Sequence, residues 1–107
     1  MILRRWRGVV ASDRAEEYAG YVERTGMAGY RATPGNRAAQ LLLRDLGGGR
    51  TEIVTLSWWD SMASIRGFAG DDVDAAHYYP EDDEFLLERD ATVAHYEVRE
   101  PPGPIPS

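Results

Sequence analysis

Residues 58–80 read WWDSMASIRGFAGDDVDAAHYYP, and this stretch decides the fold. An apolar strand ends at Trp58 and Trp59, and Asp60 or Ser61 then supplies the side-chain oxygen that caps a new helix. Gly70 is the residue type that ends such a helix. The stretch therefore predicts a strand that passes directly into a capped helix.

The helix predicted after residue 61 is amphipathic. Its apolar residues recur at the spacing of one helix face: Met62, Ile65, Phe68 and Ala69. Residues 71–77 then suggest a further short helical turn. Pro80 is well placed to start another turn, because proline fits the first position of a helix and the acidic residues 81–83 stabilise a helix N-terminus.

Two apolar runs precede this stretch and predict a β-hairpin. We expect strands over 37–46 and 51–59, joined by three glycines that supply the positive φ of a tight turn. Leu41 and Leu43 alternate with Leu42, so both faces of the hairpin are apolar. The helices of one chain cover one face. The other face needs a second cover, and a second copy of the chain is the economical solution.

The first part of the chain predicts a strand and a helix. Residues 2–10 alternate as a strand, and their three arginines favour an edge or a groove-lining position. Residues 12–25 place apolar side chains on one helix face, with Asp13 and Glu16 spaced as a capping box and Gly26 as the expected helix end. A loop is expected between that glycine and the hairpin.

The last strand is predicted over residues 92–99, which completes the order strand–helix–strand–strand–helix–strand. This order is typical of an α+β, ferredoxin-like split βαβ fold: an antiparallel four-stranded sheet with two main helices on one side. We therefore expect a single domain over 1–100 and a flexible, proline-rich tail over 101–107, since proline does not continue regular pairing.

Composition excludes several classes of chemistry. All 12 basic residues are arginine and the chain has no cysteine, so Schiff-base catalysis, a phosphate-loop lysine and a cysteine nucleophile are excluded. The two histidines, His77 and His95, are too few for a histidine-rich metal site, and we predict no metal. Without cysteine, a secretory segment or a bilayer-spanning apolar run, we expect a cytoplasmic protein with no membrane partner.

The charge of the chain is unevenly distributed. Residues 1–70 carry ten arginines and seven acidic residues, whereas residues 71–107 carry two arginines and eleven acidic residues. These balances of +3 and −9 add to the net charge of −6. The acidic second part argues against a nucleic acid partner on that side and is expected to form a solvated rim.

The sequence resembles the antibiotic-biosynthesis-monooxygenase-like (ABM) family of dimeric α+β barrel proteins. The matching segments are Trp6-Arg7-Gly8 and residues 56–61, 65–70, 76–82 and 95–98. The resemblance extends over nearly all of residues 2–99. It implies a homodimer in which two ferredoxin-like sheets pack against each other.

The resemblance also implies an activity. Oxygenases of this kind use neither metal nor flavin, because an aromatic or quinol substrate supplies the electrons. Their substrate lies between sheet and helices, where the aromatic candidates of this chain are Trp6, Trp58, Trp59, Phe68, Tyr78 and Tyr79. By elimination, the polar group that meets the substrate is His77 or a tyrosine, since few other side chains here exchange a proton near neutral pH, and His77 is the candidate catalytic residue. His95 is either a second base or a satisfied sheet histidine.

Two alternatives to an enzyme remain open at this stage. The heme-degrading branch of the family carries a histidine ligand at a spacing similar to that between Trp58 and His77. That branch also requires a tryptophan where Gly67 or Phe68 stands here, and an asparagine on the first strand that this chain lacks. A heme- or ligand-binding protein is therefore one alternative, and a dimeric interaction module without chemistry is the other.

Overall fold

The computed structural model describes residues 1–100 and 103. Its strands are β1 (Ile2–Ala11), β2 (Asn36–Gly47), β3 (Arg50–Trp59), β4 (Leu86–Arg89) and β5 (Ala94–Glu97). Its α-helices are α1 (Ala15–Val22), α2 (Ala28–Ala32) and α3 (Met62–Ala69), with 3₁₀ turns at Ser12–Arg14 and Pro80–Glu84 and a π-helical segment at Glu23–Met27. The predicted flexible tail, apart from Gly103, lies outside the described residues.

The five strands form one antiparallel sheet in the order β2-β3-β1-β4. Strands β4 and β5 lie along the same edge of β1, where β4 pairs with residues 8–10 and β5 pairs with residues 2–5. The ferredoxin-like α+β fold is confirmed, with five strands instead of the four expected, because β4 forms ahead of the last predicted strand, which corresponds to β5. Residues between β4 and β5 leave the sheet and pair with an upstream loop, through a bridge between Ala75 and Thr92 and a 2.8 Å bond from the Val93 amide to the Asp74 carbonyl.

Strand β1 lies in the middle of the sheet, between β3 and the β4–β5 edge. Of the two positions that its three arginines suggested, the edge position is therefore wrong, whereas Arg4 does line the cleft described below. Alternation resolves the apparent conflict, because successive side chains of a strand point to opposite faces. Arg4 lies on the face covered by helices, whereas Arg5 and Arg7 lie on the opposite face, across from Leu56 and Val54.

The predicted end of the first helix at Gly26 was wrong, since helical backbone continues to Ala32. Each glycine in a helix costs about 1 kcal/mol relative to alanine. Burial of Met27 and Tyr30 in the core opposes that cost, because each large side chain buried contributes roughly 1.5–3 kcal/mol. The Asp13–Glu16 capping box does not form either, because no side chain caps α1.

The hairpin and the helix that follows it are confirmed. Strands β2 and β3 are joined by a turn in which Gly48 has a φ of 63°. Ser61 caps α3 by accepting a 3.2 Å hydrogen bond from the Ser64 amide, and Gly70 ends the helix with a φ of 79°. The helical turn expected over 71–77 is absent from the described chain, since those residues instead meet the segment that precedes β5.

The helices cover one face of the sheet and enclose the core. Buried side chains on that face include Val10 of β1, Ile53 and Trp59 of β3, and Ile65 of α3. No helix among the described residues is long and apolar enough to cross a membrane. At one end of this layer the packing between helices and sheet is incomplete, and this leaves the cleft described next.

Candidate functional site

A cleft opens between the sheet and the helices and encloses about 110 Å³. Its lining is mainly apolar and aromatic, with a few polar groups among the rings. The aromatic members are Trp6, Tyr18, Tyr30, Phe68, Tyr78 and Tyr79, and the polar members are Arg4, Thr25, Thr55, His77 and Asp82. An apolar cavity with a few convergent polar groups is the usual form of a small-molecule site.

Trp6 and Tyr78 form one wall of the cleft. The indole Nε1 of Trp6 donates a 2.8 Å hydrogen bond to the Tyr78 hydroxyl, which in turn donates to the Asp90 carbonyl. Gly8 makes room for this arrangement, because a Cβ at that position would lie 2.8 Å from the Trp6 ring and 2.7 Å from Leu86. The missing side chain at residue 8 therefore determines where the indole lies.

Phe68 of α3 and Tyr30 of α2 form a second wall, with their ring centroids 4.7 Å apart. Trp59 lies behind them with its ring 6.0 Å from Phe68 and its side chain completely buried. The Tyr30 hydroxyl shares a 3.1 Å hydrogen bond with the Thr55 hydroxyl. This wall is held by core packing rather than by flexible loops, so its rings are fixed in position.

The guanidinium of Arg4 reaches the cleft from the sheet, although the residue is only 2% exposed. Its Nη1 donates to the Val73 carbonyl at 2.6 Å and to His95 Nε2 at 3.0 Å, and its Nη2 donates to the Ala75 carbonyl at 3.4 Å. Its Nε is buried and has no hydrogen-bond partner among the described residues.

The tautomer of His95 follows from its two neighbours. An arginine only donates, so the Nε2 that faces Arg4 accepts, and Nδ1–H donates to Asp74 Oδ1 at 3.1 Å. Burial and the nearby positive charge of Arg4 lower the pKa of His95, which favours this neutral form. Burial also lowers the pKa of Arg4 from its usual value, because a low-polarity environment disfavours the charged form.

His77 lies at the exposed rim of the cleft. Its Nε2 lies 2.7 Å from the Ala69 carbonyl, the last residue of α3. Because a carbonyl only accepts, Nε2 carries the proton in this contact, and in the neutral ring Nδ1 is then an acceptor. A base on this imidazole would therefore act through Nδ1.

Asp82 organises the mouth of the cleft. Its two carboxylate oxygens accept a 2.9 Å hydrogen bond from the Tyr18 hydroxyl and a 2.7 Å bond from the Tyr79 amide. Burial and the hydrogen bond to Asp82 raise the pKa of Tyr18, so Tyr18 stays protonated as the donor. The Tyr79 ring itself is 56% exposed and stands at the entrance.

The structure brings together most of the predicted site residues but not all. Trp6, Phe68, His77, Tyr78 and Tyr79 line the cleft. Trp59 instead backs the second wall from the core. Trp58 points to the opposite face of the sheet, because adjacent residues of a strand alternate and Trp59 takes the core side.

Sequence reasoning missed Arg4, Tyr30, Thr55 and Asp82 as cleft residues. A signal for Arg4 was present, since it alternates with Trp6 on one face of β1. Nothing in the local pattern marked Tyr30, because its segment was expected to be a loop. Within residues 1–100 and 103, no group of three or more metal-ligating side chains occurs.

No family model and no curated protein matches the chain. Solved structures do match: a putative antibiotic biosynthesis monooxygenase from Bacillus cereus is 13% identical, with 96% of this chain and 97% of that chain covered and a TM-score of 0.68. SnoaB, a cofactor-independent oxygenase from Streptomyces nogalater, is 13% identical, with 96% of each chain covered and a TM-score of 0.56. MhuD with two manganese protoporphyrin IX groups bound per active site is 14% identical, with 97% and 100% covered and a TM-score of 0.59.

These matches extend over nearly the whole of each chain, so they concern the complete domain rather than a shared fragment. At such low sequence identity, likeness establishes the fold and leaves the activity open, because one fold hosts many chemistries. The chain has the fold of the antibiotic-biosynthesis-monooxygenase-like proteins.

Proposed function

We propose that the protein is a cofactor-independent monooxygenase, or a related small-molecule enzyme, that acts on an aromatic or quinol-type substrate. The observation that carries the proposal is the cleft itself: Trp6, Phe68 and Tyr78 present aromatic surface between sheet and helices, beside fixed polar groups. Aromatic walls favour flat ligands, through stacked and edge-on ring contacts. The fold shared with SnoaB and with the Bacillus cereus protein supports the same reaction class.

The size of the cleft limits the substrate. A dry cavity of about 150 Å³ holds one benzene ring, so the roughly 110 Å³ here corresponds to a single ring at most. A bicyclic or larger substrate must extend through the mouth past Tyr79, whose exposed ring has room to move. We therefore expect one ring to enter between the walls and the remainder to lie at the entrance.

In the proposed reaction the substrate supplies the electrons. Loss of a proton from a quinol or anthrone gives an electron-rich anion, which reduces O₂. One oxygen atom enters the substrate in place of two hydrogens, and the other oxygen atom leaves as water. His77 Nδ1, at the rim, accepts the proton, because Nε2 is engaged by the Ala69 carbonyl. The protein otherwise contributes orientation and the exclusion of water.

The heme alternative fits these residues poorly. A porphyrin is several times larger than the single-ring space of the cleft. Entry would require the Trp6–Tyr78 hydrogen bond and the adjacent packing to open. The Nε2 of His77 is also engaged by a backbone carbonyl 2.7 Å away. These observations favour an enzyme without heme, and no step of the proposed reaction runs through such a group.

A homodimer belongs to the same proposal. The sheet face opposite the helices is apolar along its centre, where Leu3 lies across from Trp58 and Leu42 across from Val54. In this chain no helix among the described residues covers that face. We propose that the sheet of a second copy packs against it. A cytoplasmic location stays a prediction.

The test is a screen of quinols, anthrones and heme with wild-type protein, His77→Ala and a matched control. Glu16→Ala is suitable as the control, because Glu16 is exposed on α1 away from the cleft lining. We expect O₂ uptake with a quinol or anthrone, lost in His77→Ala while fold and dimer are retained. If neither turnover nor binding is seen for any compound with either protein, the interaction-module alternative is the better one.

A further inference from the structure

Arg4 is a buried cation with no carboxylate in direct contact. Among residues 1–100, no carboxylate oxygen lies within 4.0 Å of its guanidinium, and the groups that it meets are neutral: two backbone carbonyls, the uncharged His95 ring and the hydroxyl of Tyr30. Buried charges are normally paired, because removing an ion from water is expensive. The guanidinium is 2% exposed and its Nε has no hydrogen-bond partner among the described residues. This indicates a ligand that supplies an acceptor and a negative charge.

The position of Arg4 indicates what that ligand is. The guanidinium borders the same cleft as the aromatic walls, and its carbon lies 5.8 Å from the centre of the Phe68 ring. A ligand that satisfies both surroundings has a flat apolar ring and an anionic oxygen attached to it. Bonds from a guanidinium to an oxyanion are shorter and stronger than bonds between neutral groups.

We propose that Arg4 binds the ionised ring oxygen of the substrate, so that the protein selects phenolate- or enolate-type anions over the corresponding neutral compounds. This inference rests on the proposed function and names the substrate class of the same cleft. The guanidinium is held before the ligand arrives by the Val73 and Ala75 carbonyls. Donors that are fixed in advance stabilise a developing negative charge without reorganisation.

His95 and Asp74 act as positioning residues in this arrangement. The chain from Asp74 through His95 to Arg4 has donor–acceptor distances of 3.1 and 3.0 Å. Because the imidazole is neutral, it orients the guanidinium without neutralising it. The carboxylate of Asp74 lies beyond the ring and acts on Arg4 only through space, so the guanidinium has no directly bound anion.

The first test uses wild-type protein and two probes that share a nitrophenyl ring and differ by one O-methyl group. The probe 4-nitrophenol ionises to a coloured phenolate, whereas 4-nitroanisole carries no acidic proton. We expect the apparent pKa of bound 4-nitrophenol to fall by about one unit or more, which is a tenfold preference for the anion. Binding of 4-nitroanisole, measured over the same pH range, is the control for ionisation of the protein itself. The ionisable groups near the cleft and around Arg4 are Tyr30, Asp74, His77, Tyr78, Asp82 and His95. A bound pKa that is unchanged or raised overturns the proposal.

The second test compares Arg4→Gln with Arg7→Gln, two arginines of the same strand on opposite faces. Arg4→Gln is expected to lose about tenfold or more of the affinity for 4-nitrophenolate and little for 4-nitroanisole, whereas Arg7→Gln is expected to change neither. Equal losses for both probes, or no loss, overturn the proposal. If Arg4→Gln does not fold, the wild-type titration still decides. Preferential binding of 4-nitrobenzoate over 4-nitrophenolate also overturns the assignment to a ring oxygen.

The outcome of the Arg4 experiments can be distinguished from the outcome of the O₂-uptake screen. Anion-selective binding without O₂ uptake removes the monooxygenase and leaves the role of Arg4 intact. O₂ uptake with no preference for the anion removes the role of Arg4 and leaves the enzyme.

Discussion

Arg4 and Arg7 stand three residues apart on β1 and differ in one decisive respect. Arg7, on the outer face, has its carboxylate: its Nε lies 2.6 Å from Glu52 Oε2 on the neighbouring strand. Arg4, on the helix face, meets only neutral acceptors among the described residues. The pairing raises the pKa of Arg7 and lowers that of Glu52, mainly through their shared hydrogen bond.

The outer face and the helix face of the sheet therefore suit different binding partners. A neutralised ion pair among apolar side chains is compatible with burial against another protein surface, because no lone charge is desolvated. An unpaired cation inside an aromatic cleft is compatible with a small anion. The contrast links the two proposals, since one strand contributes to the dimer face and to the cleft at once.

The largest expected effect concerns the helix face. Trp59→Ala removes a completely buried side chain from the wall behind Phe68. We expect the free energy of unfolding to fall by about 3–5 kcal/mol. Urea unfolding at two protein concentrations provides the measurement, and the loss should be similar at both. A loss that depends strongly on concentration would place Trp59 at the subunit interface instead of in the core.

The next effect concerns the outer face. Leu42→Glu places a charge on the surface proposed to bind a second copy, at a side chain that is 38% exposed in the single chain. That surface should bury about 1,200–2,000 Å² in total. We expect wild-type protein to sediment as a dimer at micromolar concentration and the variant as a monomer. Arg7→Gln serves as a milder control on the same face. A monomeric wild-type protein would contradict the proposed dimer.

Gly8→Ala tests how the cleft wall is built. The new methyl group would meet the Trp6 ring at 2.8 Å and Leu86 at 2.7 Å, so either side chain must move. We expect a loss of roughly 1–3 kcal/mol in the free energy of unfolding and weaker binding of aromatic probes. Gly20→Ala is the matched control, since its Cβ meets only the end of the Arg24 side chain, at 3.3 Å, and residue 20 does not line the cleft. Equal stability of wild type and Gly8→Ala would show that the indole is not confined by this contact.

A smaller effect should appear as a pH dependence. The pKa of His95 is lowered in the folded protein, mainly by burial and then by Arg4, so the unfolded chain binds more protons below its usual value of about 6.5. Stability attributable to His95 is therefore complete above that pH and is lost as the pH falls towards the folded value. We expect the melting temperature of wild type to fall more steeply below pH 6.5 than that of His95→Gln, which keeps one acceptor and one donor.

The smallest effect is expected from breaking the outer ion pair. Arg7→Gln should cost about 1 kcal/mol or less in the unfolding of the monomer, because the Arg7 side chain is partly exposed. The pKa of Glu52 should rise towards its ordinary value, since its main hydrogen bond to the guanidinium is lost. NMR titration of Glu52 measures this directly. An unchanged pKa would show that the two groups are not coupled.

Local patterns in the sequence predicted the hairpin and the start and end of α3 correctly. Each of these depends on nearby residues, such as the cap at Ser61 and the glycine that ends the helix at residue 70. The predictions failed where distant segments compete with local preference. The helix passes through Gly26 because Met27 and Tyr30 bury their side chains. Strand β4 was not predicted because it is held by pairing with residues 8–10 of β1, which are far away in the sequence.

The cleft was predicted only in part for the same reason. Its aromatic members could be found by composition and by family resemblance, and Trp6, Phe68, Tyr78 and Tyr79 do line it. The polar members depend on contacts between residues far apart in the chain, such as Arg4 with the carbonyl of Val73. No periodicity reports such a contact.

Residue types and short-range spacing were enough to predict the fold class, the apolar character of both faces of the hairpin and the chemistry that is excluded. The burial of Arg4 without a contacting carboxylate, and the pairing of Arg7 with Glu52, followed only from the folded domain. Burial and pairing depend on which strands become neighbours and on which face the helices cover. Those outcomes are set by the free energy of the whole packed domain and not by any one segment.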